Sequence, residues 1–230
     1  KPVKMWITLR VTHILTGQTN NNNVLSLFIK NQSTFFRTSQ RYKFPVKMIV
    51  NRYMPFTTRP ATFADIPALN EMIALSVRGL STAYYIPGQI ESAIKYVFGV
   101  DTQLVTDGTY FIAELDGTIV GCGGWSKRNT LYGGDQHKEI EDPLLDPKTD
   151  ASRIRAFFVH PDHARQGIGT LIINVCEAAA KENGFASFEL GATLPGVPLY
   201  TVMGYEAIKR IDAPLPDGEV LGIVKMRKPA

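Results

Sequence analysis

One six-residue stretch, Arg165-Gln166-Gly167-Ile168-Gly169-Thr170, constrains this chain more than any other. It follows the extended apolar run from Ile154 to Val159 and leads into Leu171–Lys181, where apolar residues recur at helical spacing. Strand, glycine turn and helix in that order bring several backbone N–H groups and the positive end of a helix dipole to one small volume, which suits a phosphate or pyrophosphate. Gly167 and Gly169 lack the Cβ that would keep an oxyanion off the backbone, and a turn here calls for a positive φ that glycine adopts at no steric cost. The stretch is neither Gly-x-Gly-x-x-Gly nor a loop ending in Gly-Lys-Ser/Thr, so the spacing gives a nicotinamide or ATP site no support.

The surrounding pattern reads as alternating strands and helices. Arg59–Thr62 gives a first strand, Asp65 and Pro67 start a helix through Ser76, and Ile86–Tyr96 gives a second helix. Tyr110–Leu115 and Thr118–Trp125, joined by Asp116-Gly117, form a β-hairpin. Residues 126–152 are polar and turn-rich, too long for a tight connection, and segments of this kind are functional or disordered. Phe185–Leu190 is a strand, 196–203 a short helix, and 204–208 and 218–226 the last strands, with Pro214, Pro216 and Gly218 in the connecting turn. The expected fold is a single α/β domain with a mixed, mostly antiparallel central sheet flanked by helices.

With 230 residues, 44% of them apolar, the chain can bury a substantial single core. Cys122 and Cys176 do not make a disulfide framework, and a reducing, cytoplasmic setting is the simpler expectation. No apolar run is long enough for a membrane span. The four histidines are scattered, so no metal site is expected.

Two motifs together carry a resemblance to a family. Phe158–Leu171 resembles the acetyl-CoA-binding motif of the GCN5-related N-acetyltransferases (GNAT), although Ala164 stands where that motif usually begins with Gln or Arg. About thirty residues later, Pro198-Leu199-Tyr200-Thr201-Val202-Met203-Gly204-Tyr205 resembles its second signature. The resemblance implies acetyl-CoA as cosubstrate without a metal, bound by Phe158 and Val159 through backbone groups facing the pantetheine and by Arg165, Gln166, Gly167, Ile168, Gly169 and Thr170 around the pyrophosphate. It also implies Tyr200 as the acid that protonates the departing thiolate, a role a phenol fills while staying protonated at neutral pH. Tyr84, Tyr85 and Trp125 are the expected acceptor-binding residues.

A general base must take the proton of the acceptor ammonium. Glu114, on the first hairpin strand, is the residue expected in that role; Glu189, His137, His160 and a water chain are the alternatives. Direct transfer in a ternary complex needs neither a nucleophilic serine nor a cysteine. The expected function is therefore N-acetylation of a primary amine, of a small molecule if 126–152 roofs the pocket. The alternative is a non-catalytic acyl-CoA-binding or sensor protein of the same fold.

Residues 1–60 carry ten Lys or Arg and no Asp or Glu, while the remainder carries fifteen basic and twenty-one acidic residues. The overall charge of +4 thus belongs to the leader, and the acidic body argues against nucleic acid. Residues 1–55 read as a basic extension and 56–230 as the acetyltransferase domain, with Met54 as a functional start. The leader is alternatively an organelle-targeting peptide or an ordered extension whose apolar face makes a homodimer natural.

Overall fold

The computed structural model describes residues 55–137 and 142–230. The basic leader with Met54, and the side chain of His137, lie outside the described residues.

Seven strands form one sheet: β1 (Thr57–Pro60), β2 (Tyr110–Leu115), β3 (Thr118–Ser126), β4 (Ser152–Val159), β5 (Ser187–Thr193), β6 (Glu206–Pro214) and β7 (Val220–Pro229). Their spatial order is β1-β2-β3-β4-β5-β7-β6, and every pair is antiparallel except β4 with β5. The β2–β3 turn places Asp116 at φ 50° and Gly117 at φ 80°, the two positive φ values that a two-residue hairpin requires. The helices are α1 (Ile66–Leu80), α2 (Pro87–Tyr96), α3 (Thr102–Thr106), α4 (Ile168–Glu182) and α5 (Val197–Val202). Among the described residues, no helix is long and apolar enough to cross a membrane.

Alternation along the strands divides the apolar residues between two faces. Ile112 and Cys122 join Leu69, Met72, Ile73 and Val77 of α1 and Leu104 of α3 in one cluster. Ala113 and Ile154 join Ile168, Ile172, Ile173, Cys176 and Ala180 of α4 in the other, together with Val120, the extra residue of a β-bulge between β2 and β3 that breaks the alternation. Helix α4 lies directly on β3, because a Cβ added to Gly121 would sit 2.6 Å from Ile168 Cγ2. Strands β6 and β7 extend beyond the segments read from sequence, to Pro214 and Pro229. Lys209, Arg210 and Asp212 stand on the exposed β6, and their charges interrupt the apolar alternation that marks a strand.

The parallel ladder between β4 and β5 contains two residue pairs, Ser152 with Phe188 and Arg153 with Glu189. Beyond them β4 bulges. Its register against β3 moves from Arg155 opposite Gly124 to Phe158 opposite Cys122, so that Ala156 and Phe157 face the single residue Gly123. Gly123 fits because the Phe157 ring occupies the place of a Cβ, 2.6 Å from where one would be. Ala156 adopts φ 55°, which for a residue with a Cβ costs about 1–2 kcal/mol.

At the start of the bulge Arg155 turns into the interior. Its Nη1 lies 2.7 Å from Asp101 Oδ2, with the two side chains 1% and 0% exposed. Asp101→Ala would leave a buried guanidinium without its counter-charge. The expected loss is about 3–5 kcal/mol, measured by urea denaturation.

Candidate functional site

Because β4 leaves β5 after two residues, the sheet opens into a cleft. Ile154–Phe158 form one side, Gly191 and Thr193 of β5 the other, and Tyr200 of α5 also lines it. Val97–Gly99 and Leu131–Gly134 complete the wall. The second of these segments belongs to the long connection between β3 and β4. Its legs pair with each other, Asn129 N–H donating to Pro143 and Leu145 N–H to Lys127. Gly134 N–H donates to the Val97 carbonyl at 2.8 Å, and Arg155 Nη2 to the Gly133 carbonyl at 2.6 Å. The connection is thus in part a fixed wall of the cleft.

The glycine turn is built as its composition suggests. Arg165 has φ 63°, Gly167 has φ 92° and ψ 0°, and α4 begins at the next residue. The first α-helical bond of this turn runs from Leu171 N–H to the Gly167 carbonyl, so the amides of Ile168, Gly169 and Thr170 have no acceptor within the helix. Left-handed residues followed by free first-turn amides form an anion cradle, and this geometry fits a pyrophosphate. The two glycines divide the work. Gly167 supplies the positive φ, whereas Gly169 makes room for the helix pair, since a Cβ on it would meet Leu199 Cδ2 at 2.7 Å. The Gln166 side chain is tied locally, its amide donating to the Asp162 carbonyl at 3.3 Å.

Phe158 and Val159 differ in what they offer. Phe158 is opposite Cys122, and His160 N–H donates to the Val120 carbonyl, so alternation turns the backbone groups of Val159 away from β3. Its N–H is already engaged by Ser76 Oγ of α1 at 3.2 Å. That partner, a serine on the helix covering the sheet, leaves no signal in the sequence.

Tyr200 is 8% exposed and borders the cleft. Its ring meets Phe157 of β4 edge-on at 6.3 Å and Tyr205 at 5.7 Å. Burial pushes its phenol well above the ordinary range, so the group keeps its proton. Tyr205 is fixed in turn, its hydroxyl donating to Glu177 Oε1 at 2.9 Å while Lys228 Nζ donates to both Glu177 oxygens. The sequence pattern did not single out this triad.

Other expected site residues are placed elsewhere. Glu114 does not border the cleft: Arg59 Nε and Nη2 donate to its Oε1 at 3.1 and 2.9 Å, and Asp65 shares the same arginine. It ties β2 to β1. Trp125 is 2% exposed, packed edge-on against Phe185 in the α4-side core, because alternation along β3 turns it to that face. Tyr85 is buried as a brace, donating to the Gly222 carbonyl at 2.6 Å and accepting from Leu194 N–H at 2.8 Å. Tyr84, its neighbour, is 47% exposed at the surface. None of these three lines the cleft. Of the alternative bases, Glu189 is held by Arg153 and Lys225, and His160 Nδ1 accepts from Asp162 N–H. Among the described residues, no group of three or more His, Cys, Asp or Glu could hold a metal ion.

The fold has counterparts among known proteins. The family model described as "Acetyltransferase (GNAT) family" matches residues 77–205, more than half of the chain. The chain belongs to the GNAT acetyltransferase family. It is therefore an N-acetyltransferase by family. Among solved structures, a GCN5-related N-acetyltransferase from Rhodopseudomonas palustris has a TM-score of 0.57 at 22% identity, covering 76% of this chain and 95% of that one. PaiA N-acetyltransferase from Thermoplasma acidophilum, in complex with coenzyme A, has a TM-score of 0.54 at 14% identity over 76% and 99% of the two chains. The ribosomal-protein-alanine N-acetyltransferase of Brucella melitensis has a TM-score of 0.51 at 18% identity, again covering 76% and 99%. No curated relative matches the chain.

Gly167→Val places a β-branched side chain at φ 92° beside this GNAT cradle. CoA affinity, measured by calorimetry, should fall about tenfold or more, the equivalent of the roughly 1–2 kcal/mol that the left-handed conformation costs such a residue.

Proposed function

We propose that this GNAT acetyltransferase passes the acetyl group of acetyl-CoA directly to the primary amine of a small molecule. The observation that carries the reading is the convergence of Tyr200 with the bulged part of β4 in a cleft walled by Leu131–Gly134. A wall pinned by Arg155 and by the Val97 carbonyl favours a compact acceptor over an extended peptide.

The amides of Gln166 to Thr170 hold the pyrophosphate, and the open edge of β4 receives the pantetheine. The amine nitrogen attacks the thioester carbonyl carbon, the C–S bond breaks, and Tyr200 gives its proton to the departing sulfur. Burial that raises the phenol's pKa also raises that of a thiolate generated beside it, so the transfer is not opposed by the upward shift of the phenol alone. Direct transfer is favoured over a cysteinyl intermediate, because Cys122 and Cys176 are both fully buried, with the Cys122 thiol pushed up to about 12. A water chain is the proposed acceptor of the ammonium proton, since the cleft lining holds no carboxylate or histidine among the described residues.

Purified protein given acetyl-CoA and a mixed panel of small amines and lysine peptides should release free CoA with a small amine and yield the acetylated product by mass. Product on peptides alone would reverse the acceptor class. CoA binding without product on any amine would favour the sensor reading. With the accepting amine, Tyr200→Phe should lower kcat about a hundredfold while CoA affinity is retained. Because the folded phenol is shifted upward, wild-type activity should show no loss from tyrosine ionisation up to about pH 10, the ordinary phenol value.

A further inference from the structure

The buried hydroxyl of Tyr110 is not explained by packing. The ring is 0% exposed inside the α1-side core, where phenylalanine would fill nearly the same volume without a polar atom to satisfy. Its Oη lies 3.1 Å from the Ala156 carbonyl oxygen, to which it donates, and 3.1 Å from Cys122 Sγ. Ala156 is the residue at φ 55° in the β4 bulge. The only tyrosine hydroxyl bonded to β4 among the described residues therefore grips the one peptide of that strand held in a costly conformation.

The consequence follows from the planarity of a peptide. All described peptide bonds are trans, so the Ala156 carbonyl and the Phe157 N–H point in opposite directions across one plane. With the carbonyl drawn to Tyr110 in the core, the Phe157 N–H is turned away from it. Ala156 and Phe157 have no ladder partner on β3 or on β5, and both border the cleft beside Tyr200. We infer that Tyr110 is a positioning residue for acetyl transfer: by holding the Ala156 carbonyl it fixes the Ala156–Phe157 peptide plane and aims the Phe157 amide at the thioester carbonyl oxygen. The inference rests on the acetyl-transfer reading above and adds a residue that touches neither donor nor acceptor.

The bulge and its anchor balance one another. Without the hydroxyl, φ at Ala156 has no compensation and the peptide is free to rotate toward an ordinary strand conformation, taking the amide with it. A glycine at 156 would adopt the same φ at no steric cost, which removes the strain that loss of the anchor leaves unopposed.

The test uses acetyl-CoA labelled with carbon-13 at the thioester carbonyl and reads the carbonyl stretch of the bound molecule by isotope-edited infrared spectroscopy. In the wild type, hydrogen bonding should lower the frequency relative to free acetyl-CoA. In Tyr110→Phe that lowering should be lost while affinity for CoA, which has no acetyl group, is unchanged; in Tyr110→Phe/Ala156→Gly it should return. With an accepting amine, kcat should fall about a hundredfold in Tyr110→Phe, the scale of losing one oxyanion donor, and recover in the double variant. A carbonyl frequency unchanged by Tyr110→Phe would overturn the inference, and so would a wild type that binds acetyl-CoA without any lowering, though cofactor binding would then stand. A wild type that binds no acetyl-CoA would overturn the functional reading itself, and this inference with it. A merely structural tyrosine would lower the melting temperature without moving the frequency.

Discussion

The molecule depends on a strand that fails to complete its ladder. A parallel pair would ordinarily continue along the length of both strands, with every amide and carbonyl satisfied by its neighbour. Here β4 holds β5 through Ser152 and Arg153 and then turns out at Ala156. The deviation requires a glycine opposite, a tyrosine beneath and an arginine locked to an aspartate at its start, supplied by Gly123, Tyr110 and Arg155 with Asp101. Each is costly or unhelpful in an ordinary sheet. Together they keep a polar edge open within an otherwise continuous sheet, and the cleft, its wall and Tyr200 are arranged around that edge.

The parts of this arrangement governed by local chemistry were legible in the sequence. The Asp116-Gly117 hairpin, the course of α4 and the left-handed Gly167 follow from residue types that have few other uses at such spacing. The split itself was not legible. A bulge at Ala156 leaves the apolar run from Ile154 to Val159 looking like any buried strand, and nothing in an alanine announces a positive φ. The three residues that stand away from the cleft share one cause. Chemical type and nearness in sequence point to Trp125, Tyr85 and Glu114, but the side of the strand or the nearest hydrogen-bonding partner decides where such groups point. Glu114 is held by an arginine 55 positions earlier, and Tyr85 by carbonyl and amide groups more than a hundred positions later. Pairings at such range have no local pattern.

Gly169 illustrates a related point. Its place in the motif suggested room for an anion, yet the space beside it is filled by Leu199 of α5, the helix that carries Tyr200. A glycine in the cradle thus also sets how closely the helix bearing Tyr200 approaches the helix bearing the cradle. The two ends of the proposed cofactor site are mechanically joined.

The buried thiols acquire a further meaning once the donor is a thioester. Thioesters exchange readily with free thiolates, so a protein that repeatedly binds acetyl-CoA exposes its own cysteines to acylation. Both cysteines here are sealed in the two cores, and burial holds each thiol in its unreactive protonated form. Cys176 lies in the same core cluster as Tyr200, close to the chemistry yet walled from it. In the proposed reaction, the packing that shapes the cleft also keeps both thiols away from the thioester.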